Sequence, residues 1–205
     1  MKITKEFRVE SAHIVRNCTS ERCSHSVHGH SAVIEVILEG SKLDNAQMLY
    51  DFGLMKGPIK QWIDSMDHCY LLCNSDDPAF KDAIMKFSDR HIVLPFNPTA
   101  EMLSMFIMSN VNYILDHTRM ANGESLDVRC TGVIYRETVT GKAQCSVEDC
   151  DHLYAPRAYD KRVLYSNGVT KDWSPELNKV MFPSENVWDR NNSIYNPVVQ
   201  KQIDL

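Results

Sequence analysis

Three histidines near the N-terminus have the spacing of a metal site. His28 and His30 are separated only by Gly29 at the start of a strand-like run, so both imidazoles point to the same face. His13 ends the preceding strand-like run, and adjacent antiparallel strands lie about 4.8 Å apart. Three histidines leave the fourth position of a zinc ion open, as in catalytic zinc sites. The alternative is that the pair is only a polar strand end.

The elements that must position these histidines follow the order ββααββ, which predicts an α+β fold. Alternation, helical spacing and turn residues give two strands at 2–11 and 27–39, two helices at 54–66 and 99–117, and a hairpin at 126–138 and 142–148. Thr99 is the expected N-cap of the second helix. Residues 76–90 show a weaker helical pattern, and 92–96 an extended one. From Asp149 onward the aromatic residues are isolated, which predicts an irregular extension.

Composition excludes several classes of partner. The chain has 205 residues and a net charge of -5, so it lacks the excess of positive charge that nucleic-acid binding needs. It has no apolar run of membrane-spanning length and no signal-peptide pattern, so we expect a cytoplasmic protein. Seven cysteines without a CxxC pair predict reduced thiols rather than a disulfide framework.

Motifs spread over residues 1–148 resemble the 6-pyruvoyltetrahydropterin synthase and 6-carboxytetrahydropterin synthase family. They occur in the order of that family: ESAH around His13, a cysteine followed by HGH, YDF at 50–52, DH at 67–68, NPTAE at 97–101 and ET at 137–138. The resemblance implies the tunnelling fold, with an antiparallel sheet and a homohexamer built as a dimer of trimers whose active sites lie between subunits. Residues 149–205 would be a C-terminal extension of unknown role.

The resemblance also implies a role for each matched residue. His13, His28 and His30 would bind zinc, Cys23 would be the thiolate base, and Asp67 would orient His68 in proton transfer. Glu137 would anchor the pterin through two adjacent N–H donors. Cys23 stands five positions before His28, whereas the carboxy branch usually has four, where this chain has Ser24; Cys18 and His25 are the other candidates in this loop.

Each assignment has a simpler competitor. Cys23 is otherwise an inert loop thiol, the Asp67–His68 pair a helix C-terminal cap, and Glu137 a paired strand carboxylate. Thr99 and Glu101 are better explained by the start of a helix than by ligand contacts.

The expected reaction is the zinc-dependent conversion of 7,8-dihydroneopterin triphosphate to 6-carboxy-5,6,7,8-tetrahydropterin. In the bacterial branch, the resemblance implies release of triphosphate and acetaldehyde on the route to the 7-deazaguanine of queuosine. Two alternatives stay open. One is a synthase that makes the 6-pyruvoyl product, and the other is a non-enzymatic assembly protein that holds zinc structurally.

Overall fold

The protein is described here by a computed structural model that covers residues 1–123, 127–152, 161–182 and 194–195. Its strands are β1 Lys2–His13, β2 His28–Glu39, β3 Cys69–Cys73, β4 His91–Leu94, β5 Thr118–Arg119, β6 Arg129–Arg136, β7 Lys142–Ser146, β8 Leu164–Tyr165 and β9 Ile194–Tyr195. Its α-helices are α1 Glu21–His25, α2 Pro58–Ile63, α3 Pro78–Phe87, α4 Ala100–Asp116, α5 Val147–His152, α6 Asn167–Thr170 and α7 Pro175–Met181. The six predicted elements are present in the predicted order, together with others.

The long hairpin of β1 and β2 forms the centre of the sheet. The two strands pair antiparallel from Lys2 opposite Glu39 to His13 opposite His28. Odd-numbered residues of β1 and even-numbered residues of β2 face the core, so Phe7 and Ile34 are buried there. Strand β1 runs two residues past the predicted end at Ser11 and includes His13, which lies on the same face as the buried residues. The apolar alternation of both strands therefore continues directly into the histidines.

The sheet is mixed, which corrects the antiparallel sheet that the family resemblance implied. Its order is β7-β6-β2-β1-β3-β4-β8, and β3 runs parallel to both β1 and β4. The sequence analysis missed β3 because all five residues of CYLLC are buried and show no alternation. Such short apolar runs are typical of strands covered on both faces, and periodicity alone does not identify them.

Two of the predicted helices cover the core face of the sheet. Helix α4 begins as predicted, with the Thr99 hydroxyl accepting a hydrogen bond from the Met102 amide at 3.3 Å. The helix predicted at 54–66 is a short α2 between two 3₁₀ turns, Leu54–Lys56 and Asp64–Met66. Pro58 starts α2 instead of kinking it, because the first turn of a helix does not need its missing N–H.

Residues 161–182, here called the C-terminal segment, are regular rather than irregular. Strand β8 joins the edge of the main sheet by pairing with β4, and α6 and α7 follow it. Trp173 is 5% exposed and belongs to the same hydrophobic core as Trp62 and Phe106. The irregular extension expected from the isolated aromatics is therefore wrong for these residues. Tyr154 and Trp188, which supported that expectation, lie outside the described residues.

No helix in the described part of the chain combines the length and apolarity needed to cross a bilayer.

Candidate metal centre and acid-base residues

The β1–β2 register brings the three predicted histidines together. His13 stands directly opposite His28. His30 stands opposite Ser11, which is two residues before His13 in β1, so the three histidines lie on the same face of the hairpin. The ring centroids are 4.6 Å apart for His13 and His28, and 5.2 Å apart for each of the other two pairs. One nitrogen of each ring lies within 4.8 Å of the other two. The cluster can therefore hold one metal ion.

Backbone contacts fix the tautomer of His13. Its Nδ1 lies 2.7 Å from the carbonyl oxygen of Pro98, and since a carbonyl only accepts, Nδ1 carries the proton and donates. Its Nε2 then keeps a lone pair, and this atom is buried without a hydrogen-bond partner. Burial, with His28 and His30 nearby, lowers the pKa of His13 to about 4. The ring is thus neutral near pH 7, as a metal ligand must be.

His28 is oriented in the same way. Its Nδ1 lies 3.0 Å from the Ser26 carbonyl oxygen, so Nδ1–H donates a hydrogen bond to that oxygen. The lone pair of Nε2 is then available to bind a metal. In two of the three rings, a backbone carbonyl therefore holds the proton on Nδ1 and leaves the lone pair on Nε2. The buried Nε2 of His13 would otherwise be left without a partner, so the donor set fits a metal ion.

Glu137 lies beside the cluster, one residue past the end of β6. Its Oε1 is 3.8 Å from Nε2 of His13 and 3.7 Å from Nε2 of His30. These distances are too long for hydrogen bonds. The Glu137 side chain is 26% exposed, so its carboxylate is accessible to a ligand next to the cluster.

Cys23 lies in α1, a short helix within the segment expected to be a loop. Its carbonyl accepts from the Val15 amide at 2.9 Å, but within the described residues its thiol makes no hydrogen bond and does not belong to the histidine cluster. The two other candidates of this loop already have partners: the Cys18 thiol donates to the Ser20 carbonyl, and His25 Nδ1 lies 2.8 Å from the Ser24 hydroxyl.

Asp67 and His68 form a sharp turn between α2 and β3. The Asp67 carboxylate accepts from the Glu10 amide at 2.8 Å, which ties it to β1. His68 has a φ of 50°, a left-handed conformation uncommon outside glycine, and its side chain is 79% exposed. Its Nε2 lies 3.8 Å from Asp67 Oδ2, beyond hydrogen-bond distance.

A cleft of about 390 Å³ lies where the turn meets the β1–β2 hairpin. His68 lines it from the turn, and Glu10, His30 and Ser31 line it from the hairpin. The sheet places them near each other because β3 pairs with the end of β1, where Ser11 stands opposite Cys69.

Sequence reasoning missed two residues that hold the site. Pro98 acts through its carbonyl, which any residue type could supply, and Arg90, in a weakly patterned stretch before β4, donates from its guanidinium to the Asp67 carbonyl at 2.9 Å. The Cys69 thiol next to His68 does not compete as a base, because burial raises its pKa to about 12.

Comparison with known proteins identifies the family. Residues 2–148 match the family model described as 6-pyruvoyl tetrahydropterin synthase. The chain is 30% identical over 174 residues to the 6-carboxy-5,6,7,8-tetrahydropterin synthase of Helicobacter pylori strain J99, covering 84% of this chain and 86% of that relative. It is 29% identical over 163 residues to the enzyme of the same name from Aquifex aeolicus, covering 72% and 98%.

Solved structures show the same fold. An uncharacterized protein from Wolinella succinogenes superposes with a TM-score of 0.59 at 21% identity, over 72% of this chain and 98% of its own. The 6-pyruvoyl tetrahydropterin synthase of Plasmodium vivax superposes with a TM-score of 0.51 at 15% identity, over 71% and 96%. With the family model spanning most of the chain, this protein belongs to the 6-pyruvoyl tetrahydropterin synthase family of pterin-converting enzymes.

Proposed function

We propose that this chain is a zinc-dependent 6-carboxy-5,6,7,8-tetrahydropterin synthase. Its substrate would be 7,8-dihydroneopterin triphosphate, and acetaldehyde and triphosphate would be released. The observation that carries the proposal is the set of three histidines with Nε2 of His13 and His28 free and Glu137 beside them. The names of the relatives from Helicobacter pylori and Aquifex aeolicus favour the carboxy product over the pyruvoyl one.

His13, His28 and His30 would hold the zinc ion, and Glu137 would hold the pterin. When bound, zinc supplies Lewis acidity toward an oxygen of the substrate side chain. A pterin presents two adjacent N–H donors, which match the two oxygens of one carboxylate. Glu137 lies less than 4 Å from two of the histidines, so a pterin anchored there would have its side chain close to the metal ligands.

Proton transfer would involve Cys23 on one side of the substrate and His68 on the other. The Cys23 thiol has no hydrogen-bond partner among the described residues, and after losing its own proton the thiolate would take a proton from the substrate side chain. The Asp67 carboxylate, held by the Glu10 amide, would orient the imidazole of His68. His68 would act on the bound substrate from the turn that follows α2, next to the end of the strand that carries His13.

The product formed from 7,8-dihydroneopterin triphosphate decides between the two synthase activities. Purified protein loaded with zinc is expected to yield 6-carboxy-5,6,7,8-tetrahydropterin and acetaldehyde, both identified by mass spectrometry. Metal-stripped protein serves as the control and should be inactive. A pyruvoyl product without acetaldehyde would assign the other activity, and absence of turnover would refute the enzyme proposal.

The His13→Ala substitution tests the metal assignment. Removing one of three ligands should weaken zinc binding by more than about 100-fold, since even losing a residue that only orients a ligand costs about 10- to 100-fold. Affinity is measured by competition with a chromogenic chelator, and circular dichroism checks folding because His13 is buried. The control is His117→Ala, which removes a histidine at the end of α4. Equal zinc affinity in both variants would contradict the assignment.

The Cys23→Ala substitution tests the thiolate base against the neighbouring thiol. Loss of a general base lowers turnover by about 10²- to 10⁴-fold, while zinc content should not change. Cys18→Ala, from the same loop, should keep its turnover because the Cys18 thiol is already bonded to the Ser20 carbonyl. Should Cys18→Ala be the inactive variant instead, the base is Cys18.

We expect the chain to assemble as a homohexamer, a dimer of trimers. Strand β1 pairs with β3 only through Ser11–His13, and β7 is an edge strand of the described sheet. Unpaired strand edges of this kind are ready templates for pairing with another chain. Sedimentation velocity should give six times the mass of the chain, and a monomer at micromolar concentration would be inconsistent with this proposal.

A further inference from the structure

We propose that Arg90 and the C-terminal segment form a clamp that positions the Asp67–His68 turn for proton transfer. This inference rests on the proposed function, because it assigns the acid-base role to that turn. It gives residues 161–182 a part in the site, although none of them is a predicted active-site residue.

The clamp is one guanidinium that binds two separate pieces of backbone. Arg90 donates from Nε to the Asp67 carbonyl at 2.9 Å and from Nη2 to the Asp64 carbonyl at 2.9 Å. Its Nη1 donates to the Gly168 carbonyl at 2.9 Å and to the Asp172 carboxylate at 2.6 Å. Because the guanidinium is rigid and planar, it fixes Asp64 and Asp67 relative to the C-terminal segment.

The turn depends on such support because its conformation is strained and its ring is exposed. His68 is in a left-handed conformation that costs free energy, and the one polar contact of its ring within the described residues is the 3.8 Å approach to Asp67. The ring position is therefore set by the backbone on either side of it. Downstream, Cys69 is held in β3; upstream, the Asp67 carbonyl is held by Arg90.

The C-terminal segment is anchored firmly enough to act as the fixed side of the clamp. The Trp173 indole N–H donates to the Ser65 hydroxyl at 2.7 Å, inside the same 3₁₀ turn that precedes Asp67. The Ser174 amide donates to the Gln61 side chain at 3.0 Å. At Gly168 a Cβ atom would lie 2.2 Å from the Asp89 carbonyl oxygen, so the segment packs directly against the backbone next to Arg90.

The same residues border a second cleft, which His68 also lines. This cleft has a volume of about 590 Å³ and is lined by Asp67, His68 and Arg90 together with Val169 and Asp172 of the segment. His68 thus lines both the cleft at the end of the hairpin and a cleft walled by the clamp. A shift of the segment would change the surroundings of the ring directly.

The test compares Arg90→Lys with Arg129→Lys in the zinc-loaded full chain. Lysine keeps the positive charge at position 90, but its single ammonium group cannot contact all four acceptors that the planar guanidinium of Arg90 reaches. We expect kcat to fall about 10- to 100-fold, as small misplacements of catalytic groups do, with KM and zinc content nearly unchanged. Arg129 also forms an ion pair, with Asp116 at 2.9 Å, and its lysine variant should keep wild-type kcat.

An NMR signal of the His68 ring reports its position without depending on turnover. It therefore distinguishes a misplaced ring from a destabilised protein and from failure of the proposed function. The ring ¹³C–¹H signal of His68, assigned with His68→Gln, should shift or broaden in Arg90→Lys and stay unchanged in Arg129→Lys. If Arg90→Lys fails to fold, Asp172→Ala removes a single partner of Arg90 and should give smaller changes in the same direction, with Asp116→Ala as its control. Unchanged His68 signal and kcat in a folded clamp variant would overturn the inference. If the wild type has no turnover, the proposed function fails while the His68 signal still decides the positioning.

Discussion

The hydrogen bond between His13 and the Pro98 carbonyl is the contact on which the rest of the site depends. It joins the end of β1 to the residue before the Thr99 N-cap, so the helix that completes the core also fixes the ring. Burial lowers the pKa of His13 to about 4, below the ordinary value of 6.5, so protonation in this range favours the unfolded chain. In the metal-free protein this contribution therefore weakens stability as the pH falls from about 6.5 to about 4. Near neutral pH the same burial keeps Nε2 free for a metal.

The two halves of the site are positioned by different parts of the fold. The histidines come from one antiparallel hairpin, where pairing opposite His13 and a period of two residues place all three rings on one face. The Asp67–His68 turn arrives through a parallel connection, since β3 pairs with the end of β1 after the chain has passed through α2. The first half is encoded locally, while the second depends on how α2 and its flanking turns pack on the core. This difference explains why the second half needs support from Arg90.

The same distinction sets how much the sequence could predict. The strands that carry the histidines, the Thr99 cap and the hairpin at the end of the family domain follow from alternation and turn chemistry, and the structure confirms them. Strand β3 could not be predicted in this way, because its residues are buried on both faces and carry no period. The carbonyls of Pro98 and Ser26 could not be predicted either, because any residue type supplies a carbonyl. The roles of Cys23, Asp67, His68 and Glu137 remain predictions that come from the family resemblance and fit the geometry.

The C-terminal segment shows why isolated aromatic residues do not by themselves indicate disorder. Two of the described aromatics find partners far away in sequence: the Tyr165 hydroxyl accepts from the Trp62 indole N–H at 3.1 Å, and the Trp173 indole N–H donates to the Ser65 hydroxyl at 2.7 Å. Buried aromatic rings remove a large apolar area from water, so a few of them can hold a short segment without any periodic pattern. Trp62 and Ser65 belong to α2 and the turn after it, so the segment packs on the element that leads into Asp67. The packing of the segment on α2 therefore also helps to determine where the Asp67–His68 turn lies.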